Sequence, residues 1–340
     1  MPNQTILLAS RPKGAPTAEQ FKFEDREMPR PNTGEVLLKT LYVSVDPYMR
    51  GRMNAGKSYT PPFEVGQPIS GGVIGEVIES QQQELPVGTV VLGSLPWQEY
   101  SISNGKGLQP IPTGPAPISY FLGILGMPGL TAYFGLLDIC QPKAGETVVV
   151  SGAAGAVGSI VGQLAKIQGA RVIGTAGSDE KVAYLKSLGF DEAINYKTTP
   201  DLHQALAAAA PDGVDCYFDN VGGTITDAVY DNLNKHGRIA LCGQISMYNS
   251  TEAPVGPRPE SKLLTTSSRL QGFIVNDYHK QWPKGVKQLT EWLQDGKLTT
   301  EETITEGFDQ IPAAFLGLFK GENTGKALVK VADYSGSQGA

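Results

Sequence analysis

The chain has 340 residues, 40% of them hydrophobic and 18% charged, with a formal net charge of −6. That length exceeds one ordinary core and argues for two domains, while the acid excess and the lack of any block of like charge argue against a nucleic-acid surface. The first apolar run, residues 6–9, is too short for a signal-peptide core or a membrane span, so a cytoplasmic location without a membrane partner is expected. Cys140, Cys216 and Cys242 sit far apart in apolar sequence and read as buried small hydrophobes without disulfides. His203, His236 and His279 are scattered, and no Cys/His pair has the spacing of a structural zinc site.

Taken in order, residues 5–118 are rich in Pro and Gly, with short alternating or β-branched runs at 35–41, 72–78 and 89–92. That pattern predicts an all-β domain with almost no helical periodicity. Inside it, SVDPYMRGRMNAGKSY (residues 44–59) concentrates Tyr, Arg and Met. It reads either as an irregular loop with partly buried rings or as the wall of a substrate site, because binding residues gather on loops held by a rigid scaffold. Composition changes near Pro115, and residues 121–138 read as helix broken by a turn at Met127-Pro128-Gly129.

Residues 148–166, VVVSGAAGAVGSIVGQLAK, then read as strand, tight turn and helix: β-branched residues run into Gly152, Gly155 and Gly158, and Val157, Ile160, Val161 and Leu164 recur at helical spacing. Glycine serves where φ is positive, where backbone must touch a ligand, and where helix packs closely on strand. The free amides at the helix start favour a phosphate over the turn. A close-packed turn without ligand is the other reading; the strand before and the helix after favour a pyrophosphate site. Strand signals follow at 171–175, 191–195, 214–218, 237–241 and 269–275, with helix signals at 180–188, 201–210, 225–233 and 282–293. Strand and helix alternate at the pace of βαβ units, which predicts an α/β domain with a doubly wound parallel sheet. A last strand is expected at 327–331, and residues 332–340 lack apolar anchors.

The second strand of this domain ends Thr175-Ala176-Gly177, with no acid to hold the adenosine ribose hydroxyls. Lys181 follows in Ser178-Asp179-Glu180-Lys181, where Ser178 has the chemistry of a helix N-cap. A lysine in a first helical turn opposes the dipole. It either pairs with Asp179 or Glu180 or answers a ribose phosphate, for which Tyr196 could cover the same pocket. NADPH is therefore expected in preference to NADH.

Several motifs now stand in one order: DPYMRGRM (46–53), MPGLTAYFGL (127–136), the glycine segment, NYK (195–197), FDNVGG (218–223) and GENTGKALV (321–329). Together they resemble the zinc-independent medium-chain dehydrogenase/reductases, and within them the NADPH-dependent alkenal/one double-bond reductases, the group of prostaglandin and curcumin reductases. The resemblance implies a GroES-like substrate domain over 1–120, completed by 303–340, and a Rossmann NADPH-binding domain over 121–302. Zinc relatives carry Gly-His-Glu where this chain has Gly66-Gln67-Pro68, so metal is not expected. The cofactor set it implies is Met127, Thr131, Gly152, Ala154, Gly155, Ala156, Val157, Gly158, Thr175, Ala176, Gly177, Lys181, Tyr196, Asn220, Phe273, Val275 and Asn323. Tyr48 and Tyr59 match the active-site tyrosines of the curcumin reductase group. Mammalian members have a tyrosine before the final Rossmann strand; residues 251–261 here have none, and Tyr248 is the nearest candidate.

The implied reaction delivers hydride from the cofactor to the β-carbon of an enone or enal, a small-molecule substrate, while a tyrosine hydroxyl meets the charge developing on the carbonyl oxygen. Protonation of the α-carbon is left open among Tyr48, Tyr59, a cofactor ribose hydroxyl and water. Quinone reduction on the same architecture is the nearest rival, followed by nucleotide binding without catalysis. Alcohol oxidation is weaker, since no zinc or evident base would take the hydroxyl proton. A homodimer is implied, with the apolar stretch 270–275 as its expected edge.

Overall fold

A computed structural model of the protein describes residues 2–336. The chain first forms β1 (Asn3–Leu8), β2 (Phe21–Arg26), β3 (Val36–Ser44), the single-turn α1 (Met49–Arg52), β4 (Ser70–Ser80), β5 (Val90–Pro96), β6 (Tyr100–Ser103) and β7 (Gln109–Pro110). It continues through α2 (Met127–Phe134), β8 (Thr147–Val150), α3 (Gly158–Ile167), β9 (Arg171–Ala176), α4 (Asp179–Ser187), β10 (Glu192–Asn195), α5 (Leu202–Ala209) and β11 (Val214–Asp219). Then come α6 (Gly223–Asp231), β12 (Leu233–Leu241), α7 (Glu260–Thr266), β13 (Arg269–Gly272) and α8 (Trp282–Gln294), and finally β14 (Glu302–Glu306), α9 (Ile311–Leu318) and β15 (Lys326–Lys330). Two compact units result: residues 2–122, 302–323 and 327–336 form one, and residues 123–301 with 324–326 the other.

The first unit is built on a seven-stranded sheet, β14-β15-β3-β4-β5-β7 with β6 added against β3, beside the β1-β2 hairpin. The pairings that join β3, β4, β5, β6, β7 and β15 are all antiparallel. Trp97 anchors the core, stacked on Phe21 at 6.3 Å and edge-on to Phe315. Phe315 comes from α9, which the sequence reading missed. IPAAFLGL carries Pro in its first turn and is apolar nearly all round, so no polar face marks it as a helix.

The second unit is a six-stranded parallel sheet, ordered β10-β9-β8-β11-β12-β13. Counting from β8, this is the doubly wound order, with a reversal between β8 and β11. All four residues of β8, Thr-Val-Val-Val, are buried, as expected of a strand covered on both faces. Met127-Pro128-Gly129 opens α2 instead of breaking a helix, because proline suits the first turn, where its missing N–H leaves no bond unmade. The preceding residues form a 3-10 turn over Ile118–Leu122. Two boundaries also move. The helix expected over 225–233 ends at Asp231, and Leu233 already pairs with Val214; the last strand stops at Gly272, after which the Phe273 ring packs edge-on against Phe218.

α3 packs so closely that a Cβ on Gly162 would lie 1.9 Å from Cζ of Phe190. Gly162→Ala should therefore lower stability by about 1–3 kcal/mol through overpacking, read as a lower denaturant midpoint at unchanged slope. An unchanged midpoint would show that Phe190 can move aside.

Candidate active site

The turn after β8 explains its own glycines. Gly152 sits at φ 58°, in the left-handed region, and its carbonyl accepts the Gly155 amide at 3.1 Å. A Cβ on Gly158 would meet that same carbonyl at 2.4 Å, so the start of α3 lies on the turn itself. At Gly155 the nearest atom to such a Cβ is 3.4 Å away, which leaves room above the turn. Ala156 and Val157 lead into α3, whose N-cap Val157 supplies no side-chain cap; the Ser159 and Ile160 amides already donate to the Gly155 and Val157 carbonyls at 3.1 Å, so donors for an anion lie ahead of Ser159. The Ala154 carbonyl accepts the Gly325 amide at 2.8 Å, and Gly155 bridges Gly325 in parallel. Thr324–Lys326 thus joins this unit, while the predicted contact Asn323, one residue before it, belongs to the other.

Across the reversal, the end of β11 is tied to this turn by Asp219, which is 1% exposed. Its Oδ1 accepts hydrogen bonds from Ser151 Oγ (3.0 Å), Tyr217 Oη (2.9 Å) and the amides of Val221 (3.0 Å) and Gly222 (2.9 Å). Its Oδ2 accepts Thr226 Oγ1 at 2.8 Å. Asn220 then donates its amide to Ser151 Oγ at 2.9 Å and its side-chain Nδ2 to the Ser151 carbonyl at 2.8 Å. The side chain is fixed with its remaining oxygen available to a ligand.

At the end of β9, Ala176 and Thr175 are buried, and Thr175 Oγ1 has no hydrogen-bond partner among the described residues. A Cβ on Gly177 would stand 3.0 Å from Tyr196 Oη and 3.1 Å from Lys197 Cε. Ser178 caps α4 as expected, accepting the Lys181 amide at 3.3 Å. Burial, together with the charge of Lys197, pushes the Lys181 ammonium below its ordinary pKa. Lys197 thus stands beside Gly177 and Tyr196, and its charge is felt at Lys181.

A cleft of about 450 Å³ beyond β12 and β13 is lined by Leu241, Cys242, Gly243, Gln244, Tyr248, Gly272, Phe273, Ile274 and Asp277. Tyr248 turns its hydroxyl back to the Gln244 amide at 3.4 Å. Val275 is buried, its carbonyl accepting Trp282 Nε1 at 3.2 Å, so Phe273 and Ile274 are the lining residues. Met127 and Thr131 share the first turn of α2, where Thr131 Oγ1 donates to the Met127 carbonyl at 2.7 Å.

In the first unit, Tyr48 precedes α1, and its phenol is half-buried. Burial and then the Asp46 carboxylate raise its pKa well above the ordinary value, against a lowering pull from Arg52. Tyr59 lies on the following loop, 61% exposed, near enough for its charge state to register at Tyr48. Sequence reasoning passed over Ser151, Asp219, Lys197 and Arg52. Asp219 and Lys197 stood in motifs already marked, FDNVGG and NYK, next to the residues chosen.

Comparison with known proteins accords with this geometry. A family model described as the N-terminal domain of oxidoreductase matches residues 4–111, and one described as zinc-binding dehydrogenase matches residues 156–291. YfmJ of Bacillus subtilis, named as an NADP-dependent oxidoreductase, is 62% identical over 98% of both chains. Prostaglandin reductase 1 of Mus musculus is 51% identical over 94% of this chain and 96% of its own. The crystal structure of CurA from Vibrio vulnificus in complex with NADPH superposes with a TM-score of 0.93 at 46% identity, covering 97% of this chain and 99% of that one. The chain belongs to the medium-chain dehydrogenase/reductases, in the group of the prostaglandin and curcumin reductases. Within that superfamily its residues do not fit a zinc ion. Gly66-Gln67-Pro68 supplies no ligand, and the described residues hold no group of three His, Cys, Asp or Glu side chains that could surround one.

Asp219→Asn places an NH₂ group against donors and should lower stability by about 2 kcal/mol or more. Amide hydrogen exchange at Val221 and Gly222 checks it: these two should lose protection first. Equal protection in the variant would mean that the turn does not depend on the carboxylate.

Proposed function

We propose that this protein uses NADPH to reduce the carbon–carbon double bond of α,β-unsaturated aldehydes and ketones. When bound, NADPH supplies the hydride that the β-carbon accepts. Gly152, Gly155 and the start of α3 would hold its pyrophosphate, Lys181, Lys197 and Tyr196 its ribose phosphate, and Asn220 with Phe273 the nicotinamide end. The fit is supported by the open space over Gly155 and by the cation pair at the tip of β9.

What supports the choice of substrate is the likeness over nearly the whole chain to prostaglandin, curcumin and 2-alkenal reductases, with Tyr48 as the donor such a reaction needs. A phenol whose pKa lies above its usual value stays protonated at neutral pH. It can therefore donate to an oxygen that gains charge, and it is a poor base for taking a proton from an alcohol. Tyr48, Tyr59 and Tyr248 are the donors we assign to the carbonyl oxygen. Their hydrogen bonds strengthen as hydride transfer moves negative charge onto that oxygen, and protonation of the α-carbon completes the saturation.

We also infer a homodimer formed along β13. This edge strand is exposed at all four residues, and Leu264 of the neighbouring α7 is 79% exposed. A cytoplasmic setting agrees with three free thiols. Among the described residues no helix is long and apolar enough to cross a membrane.

Oxidation of NADPH by trans-2-alkenals, aryl enones and simple quinones, each repeated with NADH, tests the assignment. Turnover of alkenals and enones well above that of quinones is expected; the reverse order would make this a quinone reductase. Tyr48→Phe should lower kcat on enones roughly a hundredfold, the usual effect of removing one preorganised donor, with KM for NADPH little changed. Lys181→Ala should raise KM for NADPH about tenfold, and leave that for NADH nearly unchanged, since only the former loses a charge-assisted contact. Equal effects on both cofactors would remove Lys181 from the phosphate.

A further inference from the structure

The first acid after β9 is Asp179, two residues beyond Gly177 and the opening residue of α4. An acid close to the end of this strand is what an enzyme selecting NADH uses to hold the ribose hydroxyls, and its charge repels a phosphate on the same ribose. Here the carboxylate is already engaged. Asn195 Nδ2 donates to Asp179 Oδ1 at 2.7 Å, and a bond to a charged acceptor is stronger than one between neutral groups. Asn195 is fixed in turn by the chain that follows it. Its Oδ1 accepts the Lys197 amide at 3.1 Å, and its carbonyl accepts the Thr199 amide at 3.1 Å and Thr199 Oγ1 at 2.7 Å. Turning the side-chain amide over would lose both of its bonds, so Asn195 presents only its NH₂ group to Asp179. The next two residues serve the other side of the tip. Asn195 lies opposite Ala176 in the β10–β9 register, and the Tyr196 amide donates to the Ala176 carbonyl at 3.1 Å, which brings the Tyr196 hydroxyl and the Lys197 side chain to Gly177.

We propose that Asn195 is the positioning residue for cofactor choice: by holding the Asp179 carboxylate against the 195–199 turn, it keeps that acid off the ribose phosphate, so that the tip of β9 takes NADPH in preference to NADH. The proposal rests on the NADPH reading above. Selectivity is a difference between two affinities, and both cofactors carry the same pyrophosphate. Only the ribose separates them. A released Asp179 would act on both sides of that difference, accepting from the ribose hydroxyls of NADH and repelling the phosphate of NADPH. Asn195 removes both effects with one hydrogen bond, and the same three-residue segment supplies Tyr196 and Lys197 to the phosphate side.

Calorimetric titration of the full chain with NADP⁺ and with NAD⁺, no substrate present, reads this choice without turnover. Asn195→Ala should weaken NADP⁺ binding about tenfold, the effect of one carboxylate brought near a phosphate, while NAD⁺ binding improves or stays within about twofold. The loss should shrink in high salt, which screens exposed charges. In an Asp179→Asn background the same change should move the ratio of the two Kd values less than about twofold, because no charge is left to release. Asn195→Ser repeats the cycle in case the alanine variant unfolds early: its hydroxyl can still accept the Lys197 amide and keep the turn, but is too short to reach Asp179 as well, so the same shift is expected. An equal loss for both cofactors, or the same loss with Asp179 replaced, would reduce Asn195 to a turn residue and overturn the proposal, leaving the NADPH reading intact. If the unaltered protein binds NADP⁺ no more tightly than NAD⁺, the NADPH reading itself fails and the positioning role falls with it.

Discussion

Five hydrogen bonds converge on one buried carboxylate, Asp219, and the second unit's ligand-facing geometry depends on them. A buried charge is tolerable only when its lone pairs are filled, and here the donors come from separate pieces of chain: Ser151 after β8, Tyr217 in β11, two loop amides, and Thr226 in α6. Because the donors lie on both sides of the reversal in strand order, satisfying the charge also fixes the distance between the two strand ends. Asn220 inherits its position from the same knot through Ser151. The glycine turn and the asparagine are thus one rigid object.

Rigidity there contrasts with like charge gathered nearby. Beside Gly177, Lys197 approaches the Tyr196 phenol and its charge is felt at Lys181, whose burial makes that cation costlier than it would be in water. Folding alone has little reason to gather like charges, whose repulsion is destabilising. An arrangement of this kind suits a protein whose stable form carries an anion, since binding then returns what the apo fold gives up.

The parallel sheet was legible because its strands are short β-branched runs broken by glycine and its helices keep a polar face. α9 was not, because a helix apolar on every side has no period to detect; its role became visible only when Phe315 met Trp97. Met127-Pro128-Gly129 misled for a related reason. Proline and glycine together signal a turn, yet the same pair can open a helix, and Gly129 is needed because a Cβ would strike the Ile124 carbonyl at 1.8 Å. Tyr48 and Lys181 were found by residue type and motif. Asp219 was not, although four of its five donors lie within seven positions of it: its link to Ser151, 68 positions away, ties two strand ends together, and no local pattern encodes that partner.

Burial also ranks the two tyrosines of the first unit. A hydrogen bond to a developing charge gains strength as the surrounding dielectric falls, and a donor already surrounded by protein needs no reorganisation at the moment of reaction. Tyr48 is half-buried, whereas Tyr59 is 61% exposed on a loop whose tip, residues 54–59, is exposed throughout. Water competes for the Tyr59 hydroxyl and weakens its bond to any substrate oxygen. As the donors proposed, Tyr48 would be the stronger stabiliser of the two and Tyr59 the more solvated one. The ranking follows from solvent access alone: a phenol shielded from water is better placed to meet developing charge than one that water reaches.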